Sequence, residues 1–360
     1  EAGLERVWGD GGVGRKQKSA VGMGGGVDSS VTAALLKEQG YDVTGVFIEA
    51  YNEPGCRTDE DKRDALRVAS HLDIKFKVLD LRKEYKETVV KYFFDEYRAG
   101  RTPNPDVVCN REVKFGLFYQ WAIEQGYGKI ATGHYARISK QQVANSKQYF
   151  LQEARDETKD QSYFLWQVPR GRLSRVLWPL GELKKREVRV KAKALGLPNA
   201  DKPDSMGVCM LGELNVREFL RKHLGSNPGN VIFDGRVVGR HEGLWFYTIG
   251  QRGGWQYTMG GQSEEMSPLY VTSKDTSKNQ ITIGEHGEAW SGIFRIANYE
   301  LWGRSQDLWV RIRNLGMKAR VLRIDGNLVE MEQGLYGVAP GQSAVFYDKE
   351  GLVVGGGNLC

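Results

Sequence analysis

Short runs of β-branched and apolar residues alternate with helical periods from residue 19 to about residue 135. Glycines punctuate this pattern, as Gly40 does after the first helical stretch. Strands are predicted over 19–23, 42–48, 74–81 and 129–133, and helices over 29–39, 59–72, 83–97 and about 110–125. Because this alternation is typical of βαβ units, we expect an α/β domain with a parallel sheet.

The pattern changes twice further along the chain. Residues 151–227 carry mixed helical periods, with a helix predicted over 184–196, and they indicate a small, mostly helical domain. From 228 to 360, short alternating strands recur roughly every ten residues between Gly and Asn turns, which is typical of a small antiparallel β-barrel. We therefore expect domains over 19–150, 151–227 and 228–360, with a flexible extension at 1–18.

Composition and charge narrow the class of protein. Apolar residues make up 40% and charged residues 27% of the 360 positions, which is typical of globular proteins. No apolar run approaches the ~18 residues that cross a bilayer, and residues 1–18 lack the apolar core of a secretory signal. We expect a cytoplasmic protein with no membrane partner. The formal charge is +6, and residues 155–223 alone hold 15 Lys and Arg against nine Asp and Glu. This basic segment suits a polyanion such as nucleic acid, although a solvated surface would have the same composition.

Four cysteines, Cys56, Cys109, Cys209 and Cys360, lie far apart and form no C-x-x-C pair or Cys/His cluster. We therefore expect no metal site built on cysteines, and the sparse usage suits a reducing compartment. Two prolines in TPNPDVVC precede Cys109 and are expected to keep it in a loop. Cys209 follows Lys202, whose charge would favour the thiolate.

The strongest chemical signal is GMGGGVDSS at 22–30, between a predicted strand and a predicted helix. Adjacent glycines let backbone N–H groups face an anion, and the helix N-terminus adds partial positive charge. Ser29 and Ser30 would supply hydroxyls to that anion, and Asp28 would cap the helix or help hold Mg²⁺. The G-K-[ST] ending of a P-loop is missing. The pattern predicts a phosphate site of another type, although a tight turn with an Asp cap would also fit.

This loop resembles the pyrophosphatase-type ATP loop, S-G-G-x-D-S, of enzymes that split ATP between its α- and β-phosphates to adenylate a substrate. Five further segments extend the resemblance: AGRTPNPDVVCNREVKF (99–115), ATGHYAR (131–137), KDQSYFL (159–165), DSMGVCMLGE (204–213) and PGQSAVFY (340–347). Together they resemble the tRNA-specific 2-thiouridylases. The resemblance implies an adenine nucleotide alpha hydrolase-like domain with a parallel sheet, then a small helical domain and a C-terminal β-barrel. It also implies ATP-dependent 2-thiolation of the wobble uridine of tRNA.

The chemistry that the resemblance implies has two halves. Because the C2 oxygen of uridine is a poor leaving group, ATP must adenylate it before sulfur can replace it. A persulfide on Cys209 then delivers the sulfur, with Cys109 as partner nucleophile and Asp106 as acid/base candidate near the base. The implied cofactors are ATP and Mg²⁺. The implied partners are tRNA with Lys, Glu and Gln acceptors, and a cysteine desulfurase or sulfur-relay protein.

The resemblance also assigns binding positions residue by residue. Those for ATP are Gly22, Met23, Gly24, Gly25, Gly26, Val27, Asp28, Ser29, Ile48 and Gly133. Those for tRNA are Asn104, Pro105, Asp106, His134, Lys159, Asp160, Gln161, Arg311, Ile312 and Gln342. Gly24 stands where the loop usually has Ser, so one hydroxyl is missing from the phosphate site.

Two other functions stay open. An adenylating enzyme of another kind, such as a ligase that uses ammonia, would explain the loop but leave Cys109 and Cys209 without a role. A tRNA-binding paralogue weakened by Gly24 would bind tRNA without adenylating it. Formation of 2-thiouridine that depends on both ATP and Cys209 would distinguish the first function from both alternatives.

Overall fold

A five-stranded parallel sheet forms the centre of the N-terminal half. The structure is a computed structural model that describes residues 16–51, 57–143, 146–204, 215–258, 267–302 and 307–360. Its first strands are β1 (Lys18–Gly22), β2 (Asp42–Glu49), β3 (Lys75–Asp80), β4 (Lys129–Ala131), the hairpin β5 (Arg137–Val143) and β6 (Ser146–Gln152), and β7 (Val176–Leu177). The sheet order is β3-β2-β1-β4-β7. The predicted strands and the parallel sheet are confirmed.

Helices connect and cover these strands. The first six are α1 (Val27–Glu38), α2 (Thr58–His71), α3 (Arg82–Tyr85), α4 (Lys91–Arg98), α5 (Pro105–Val108) and α6 (Phe118–Glu124). Two π-helical stretches, Lys86–Val90 and Cys109–Leu117, join α3 to α4 and α5 to α6. In α1, small and apolar side chains are buried on most sides, and the helix is followed by Gly40 at φ +90°. The first turn of α2 is acidic, which complements the helix dipole.

Cys109 lies in a helix, and the expectation that two prolines keep it in a loop is wrong. The helix begins at Pro105, and Cys109 starts the π-helical stretch one turn later. Proline is tolerated at the first position of a helix because the N–H that it lacks has no helical partner there. Pro105 therefore starts the helix that carries Cys109.

The central basic segment contributes to the same sheet. It contains α7 (Ser162–Leu165), α8 (Arg170–Leu173), a 3-10 turn at Pro179–Glu182 and α9 (Lys185–Ala194). Strand β7 is the fifth strand of the parallel sheet, which the sequence does not predict. The predicted helix at 184–196 is confirmed as α9, and its Val188 and Ala192 belong to the same buried cluster as Val31 of α1. The domain boundaries near 150 and 228 stay predictions.

Two β units follow, separated from the sheet by α10 (Val216–Leu224). The first is an open sheet in the order β10-β9-β8-β12-β11. Its strands are β8 (Gly229–Phe233), β9 (Arg236–His241), β10 (Gln256–Tyr257), β11 (Tyr270–Asp275) and β12 (Gln280–Gly284), with 3-10 turns at Leu244–Phe246 and His286–Ala289. Phe219 and Leu220 of α10 pack with Val231 and Ile281 of this sheet. The sequence does not separate this unit from the barrel behind it.

The second β unit is a closed antiparallel barrel, as predicted. Its strands are β13 (Trp290–Leu301), β14 (Trp309–Arg311), β15 (Ala319–Asp325), β16 (Leu328–Tyr336), β17 (Ser343–Tyr347) and β18 (Val353–Leu359). They close in the order β13-β16-β15-β14-β17-β18. Among the residues that the structure describes, none of the helices is long and apolar enough to span a membrane.

Candidate active site

The loop after β1 lies where the strand order of the parallel sheet reverses. Strands β2 and β3 lie on one side of β1, and β4 and β7 on the other, so the loops after β1 and β4 flank a crevice at the carboxyl edge. Met23 is buried, and its N–H donates to the carbonyl of Val46 at 2.8 Å. A Cβ on Gly22 would contact Phe118 and Thr132 at 3.6 Å. The predicted ATP loop therefore starts inside the core and opens at this edge.

Gly25 makes the turn that leads into α1. Its φ is +73°, and a Cβ there would lie 2.4 Å from the carbonyl oxygen of Asp61 in α2. A Cβ on Gly24 or Gly26 would instead meet nothing within 4 Å. Val27, the first residue of α1, is buried. The space beside the loop backbone is thus open at the N-terminus of a 12-residue helix, which is the arrangement that favours phosphate.

Gly133, in the loop after β4, lies directly against the start of α1. A Cβ on Gly133 would come within 2.7 Å of the backbone nitrogen of Ser29 and 2.9 Å of the carbonyl carbon of Asp28. Only glycine allows this approach. Ile48 lies half-buried near the end of the neighbouring strand β2. The predicted ATP positions therefore lie at the carboxyl ends of three adjacent strands.

The two serines of the loop are hydrogen-bonded within the protein. Both hydroxyls donate to the carbonyl of Gly26, at 3.1 Å from Ser29 and 2.9 Å from Ser30. Asn199 donates its amide to the carbonyl of Gly25 at 2.9 Å and to the hydroxyl of Ser30 at 3.0 Å. Ser30 is wholly buried. Its hydroxyl therefore contacts the loop from inside the protein, whereas the sequence predicts that it faces the anion.

The carboxylate of Asp28 binds a lysine and a tyrosine. Lys185 Nζ lies 2.7 and 2.8 Å from its two oxygens, and the Tyr135 hydroxyl donates to it at 2.8 Å. The N-cap of α1 is Gly26, with no side-chain cap, so the expected Asp28 cap is wrong. Burial and the charge of Asp28 raise the pKa of Tyr135 well above its usual range, so Tyr135 stays a proton donor to Asp28.

Asp204 also binds Lys185 and links it to two further basic side chains. It accepts from Lys185 at 2.9 Å and from Lys159 at 3.0 Å, and it also pairs with Arg189. Burial acts to raise the pKa of Asp204, but the hydrogen bonds and charges of Lys185 and Lys159 outweigh it and hold that pKa well below the usual range. Lys159, a predicted tRNA position, is thus part of an internal ion-pair network.

Cys109 is wholly buried beside the same edge of the sheet. It packs in one cluster with Tyr51, which follows β2, and Ile48 packs against that cluster. Asp106, on the preceding turn, is partly buried. The helical stretch that Cys109 begins also meets the loop after β4, since Nζ of Lys114 lies 3.4 Å from Nε2 of His134.

Cys209 and Cys56 lie outside the described residues, so a meeting of Cys209 with Cys109 stays a prediction. Lys202, which we expected to favour the Cys209 thiolate, binds two carboxylates of α2. Its Nζ lies 2.8 Å from Asp61 and 2.6 Å from Asp64. The charge of Lys202 is therefore already balanced within the protein.

His134, a predicted tRNA position, is a buried residue of the loop after β4. Its Nδ1 lies 2.7 Å from the hydroxyl of Thr132, and its Nε2 lies 3.4 Å from Nζ of Lys114. Burial, and then the charge of Lys114, lower the pKa of His134 well below 6.5. The imidazole is therefore neutral at physiological pH.

Asp160 and Arg311 form a buried ion pair between the α/β domain and the barrel. Arg311 donates to Asp160 at 2.9 Å and to Glu153 at 3.1 Å, and the side chains of Arg311 and Asp160 are only 9% and 2% exposed. The side chain of Gln161 accepts from the backbone N–H of Tyr135 at 3.0 Å. The structure thus places these predicted tRNA positions in a junction within the protein.

Three further predicted tRNA positions, Asn104, Ile312 and Gln342, meet at the hydroxyl of Tyr163. That hydroxyl donates to the carbonyl of Ile312 at 3.0 Å, and the amide of Asn104 approaches it at 3.4 Å. Gln342 donates to two backbone carbonyls just before Asn104, at 3.1 and 2.7 Å. Asn104, Ile312 and Gln342 are therefore brought together, and they anchor the loop before Pro105 to the barrel.

Several residues of these networks were not predicted from the sequence: Tyr135, Glu153, Tyr163, Lys185 and Asn199. Lys185 resembles every other lysine of the basic helix until its contact with Asp28 is seen, because the two residues lie 157 positions apart. Tyr135 and Tyr163 do lie within the segments that carry the resemblance. That proximity was the one signal for them in the sequence.

Metal-ligating side chains are sparse at the crevice. In the part of the chain that the structure describes, no group of three or more His, Cys, Asp or Glu is placed to hold a metal ion. Asp28 is the carboxylate of the loop itself, and its side chain is 31% exposed. Mg²⁺ in nucleotide sites often takes one or two carboxylates plus substrate phosphates, so a single Asp28 fits a Mg²⁺ ion delivered with ATP.

Comparisons with known proteins cover all of these regions. The family model described as "tRNA methyl transferase HUP domain" matches residues 17–213, "tRNA methyl transferase PRC-barrel domain" matches 217–285, and "Aminomethyltransferase beta-barrel domain" matches 303–359. The "tRNA-specific 2-thiouridylase MnmA" of Streptococcus mutans is 40% identical over 358 residues, 95% of each chain. The protein of that name from Bacillus subtilis is 41% identical over 93% of each chain. "tRNA-specific 2-thiouridylase MnmA 1" of Geobacillus kaustophilus is 42% identical over 93% of this chain and 94% of its own. With such identity along nearly its whole length, the chain belongs to the tRNA-specific 2-thiouridylase family.

Proposed function

We propose that this protein replaces the C2 oxygen of the wobble uridine of tRNA by sulfur, after ATP has adenylated that oxygen. The observation that carries the proposal is the glycine loop at the strand-order reversal, packed against Gly133 and next to the helix of Cys109. A phosphate site and a thiol at one sheet edge are what adenylation followed by sulfur transfer requires.

In the first half-reaction the loop holds the phosphates of ATP. The backbone N–H groups from Gly24 to Ser29 and the N-terminus of α1 stabilise negative charge as the C2 oxygen attacks the α-phosphorus and pyrophosphate leaves. Asp28 would hold Mg²⁺, which when bound neutralises charge on the phosphates. Lys185, which already contacts Asp28, adds a cation at the same place.

In the second half-reaction sulfur replaces the activated oxygen. The terminal sulfur of a persulfide on Cys209 attacks C2, and AMP leaves with the original oxygen. The thiolate of Cys109 then attacks Sγ of Cys209, forming a disulfide and leaving the sulfur on C2. A thiol reductant restores both cysteines, and Asp106 exchanges protons near the base. A cysteine desulfurase or a sulfur-relay protein renews the persulfide.

The placement of the predicted residues supports two kinds of role in tRNA binding. Asn104, Pro105 and Asp106 start the helix of Cys109 and would lie beside the target base. Asp160, Arg311, Ile312 and Gln342 fix the loop before that helix, so we infer that they act on tRNA by positioning this loop. We further propose that the substrates are tRNAs with Lys, Glu and Gln acceptors, and that the protein acts in the cytoplasm.

The test is an anaerobic reaction of the full chain with unmodified tRNA, Mg-ATP and a persulfide-generating system. Digested tRNA is analysed by mass spectrometry for 2-thiouridine. We expect product with the unaltered protein and none with C209S or C109S. The matched control is C360S, because Cys360 is an exposed cysteine at the barrel. C360S should retain full activity.

Three outcomes would overturn the proposal. Product formed by C209S would contradict the persulfide assignment. ATP turnover with ammonia and without sulfur incorporation would identify an amidating ligase, whereas tRNA binding without adenylation would identify a weakened paralogue.

A further inference from the structure

A second polar cavity lies away from the crevice, between α10 and the open sheet of β8, β9 and β10. Its volume is about 360 Å³. Its walls include Arg217, Arg221, Arg240, His241, Glu242 and Trp255. The function proposed above gives this cavity no role.

The described residues that line the cavity carry a net positive charge. Arg217 and Arg221 both bind the carboxylate of Glu242, at 2.7 and 2.9 Å, and Arg240, which also donates to the amide oxygen of Asn230, adds a third guanidinium. Among these residues three cations therefore face one anion. Guanidinium groups match the geometry of phosphate oxygens and bind them in pairs.

This surplus contrasts with four other cations of the basic segment. Lys159, Lys185, Arg189 and Lys202 each pair with aspartates of the protein. Arg217 and Arg221 instead share a single carboxylate, and they belong to the same basic segment, 155–223. Positive charge therefore stays available to a polyanion at this cavity.

Two buried polar atoms on the cavity residues are unsatisfied. Within the described residues, Nε1 of Trp255 and Nδ1 of His241 have no hydrogen-bond partner. His241 is 2% exposed, and its Nε2 lies 3.2 Å from the carbonyl of Asn279, so Nε2 carries the hydrogen and Nδ1 is an acceptor. Buried polar groups are rarely left unpaired. Both atoms are enclosed by the protein, so the groups that the cavity presents to a ligand are its guanidiniums.

We propose that this cavity binds a backbone phosphate of the tRNA strand, outside the position of the reacting uridine. The phosphate lies on Arg221 and Arg240. The inference rests on the proposed function, since tRNA is the polyanion that the reaction supplies.

The test measures tRNA affinity of the full chain over a series of salt concentrations. We expect R221A to weaken binding about tenfold near ~0.1 M salt and to lower the salt slope by about one, as for one lost phosphate contact. R240A should act in the same direction. Glu242 keeps Arg217 in R221A, so the helix retains an ion pair.

The matched control is R323A, which removes an arginine whose side chain is 62% exposed and which lies 3.5 Å from Glu330 on the barrel. R323A should leave tRNA affinity and slope unchanged. If R221A and R240A behave as R323A does, the cavity proposal is overturned while tRNA binding itself stands. If the unaltered protein binds no tRNA, the proposed function fails as well.

A second arm separates RNA from free nucleotides. AMP and inorganic phosphate are titrated by calorimetry into the full chain and into R221A. Saturation below roughly 0.1 mM that is lost in R221A would assign the cavity to a free nucleotide or phosphate and overturn its assignment to tRNA. At saturating tRNA, R221A should form 2-thiouridine with unchanged kcat and a raised KM for tRNA. Unchanged KM would contradict the proposal.

Discussion

The crevice at β1 and β4 and the junction between Asp160 and the barrel were assigned to ligands by the same resemblance, yet they are built differently. The crevice is made of backbone, with open space beside Gly24 and Gly26. The junction is made of buried side chains: Asp160 pairs with Arg311, and Tyr163 donates to the backbone carbonyl of Ile312.

Residues of the two regions therefore contribute to substrate binding in two different ways. A backbone loop with vacant space beside it can receive phosphate groups directly. Side chains that already satisfy one another serve indirectly, because their ion pairs fix the loop and helix that meet the base. Substitutions in the crevice should therefore change catalysis, and substitutions in the junction should first change stability.

The largest effect is expected for Arg311→Ala. Removing one partner of a buried ion pair leaves Asp160 without its guanidinium, which costs about 3–5 kcal/mol in the free energy of unfolding. The matched control is R323A, an exposed arginine 3.5 Å from its partner, for which we expect less than about 0.5 kcal/mol. Urea unfolding measures both. Equal values for the two variants would break the comparison.

Gly25→Ala tests whether ATP use depends on the turn at Gly25, and Gly24→Ala is its matched control. The added methyl on Gly25 would lie 2.4 Å from the carbonyl of Asp61 at a φ of +73°, whereas on Gly24 it meets nothing within 4 Å. We expect G25A to lower kcat/KM for ATP by about 100-fold or more, roughly 2.7 kcal/mol. G24A should stay within about threefold of the unaltered protein. Similar losses in both would show that the loop does not depend on the Gly25 turn.

Lys185→Met tests whether the charge of Lys185 contributes to ATP binding at the crevice. It removes a cation from both Asp28 and Asp204 while keeping the length of the side chain. We expect KM for ATP to rise about tenfold, roughly 1.4 kcal/mol, because one favourable charge near the phosphates is lost. Lys185→Arg keeps the charge and should recover most of the affinity. A tenfold loss in K185R as well would assign the effect to packing.

The smallest expected effect is a change in the pH dependence of the free energy of unfolding when His134 is replaced. Burial and Lys114 lower its pKa in the folded protein below 6.5, so the unfolded chain binds the proton more readily. The free energy of unfolding should therefore fall as the pH drops below 6.5. His134→Asn should reduce that dependence, measured as the urea midpoint at pH 7.5 and at about pH 5.5. An unchanged pH dependence would show that His134 is not the group responsible.

The fold was predictable where hydrophobic periods are long. The strands and helices of the sheet repeat periods of two and 3.6 over many residues, and the barrel strands recur regularly. Strand β7 spans two residues, which is too short for any period to show. Pro105 was interpreted as a helix breaker, although the same proline starts a helix when it occupies the first position.

The site was predictable as a loop but not as a network. The glycines and Asp28 are adjacent in sequence, so their motif identifies the phosphate site. The partners of Asp28 lie 107 and 157 residues away, and nothing in a single sequence marks such pairs. Nor does the sequence distinguish Gly25, which cannot carry a side chain, from Gly24, which can. The pairing of Cys109 with Cys209 stays a prediction.

The contact between Gln342 and the loop before Asn104 joins residues about 240 positions apart in the chain. A ribosome adds roughly 5–20 residues per second, so this brace arrives some tens of seconds after the loop has been synthesised. Until then the loop is held by earlier contacts alone, such as the hydrogen bond from the backbone N–H of Asn104 to the hydroxyl of Tyr92. The loop before the helix of Cys109 therefore gains its full set of hydrogen bonds only when the chain has been synthesised as far as the barrel.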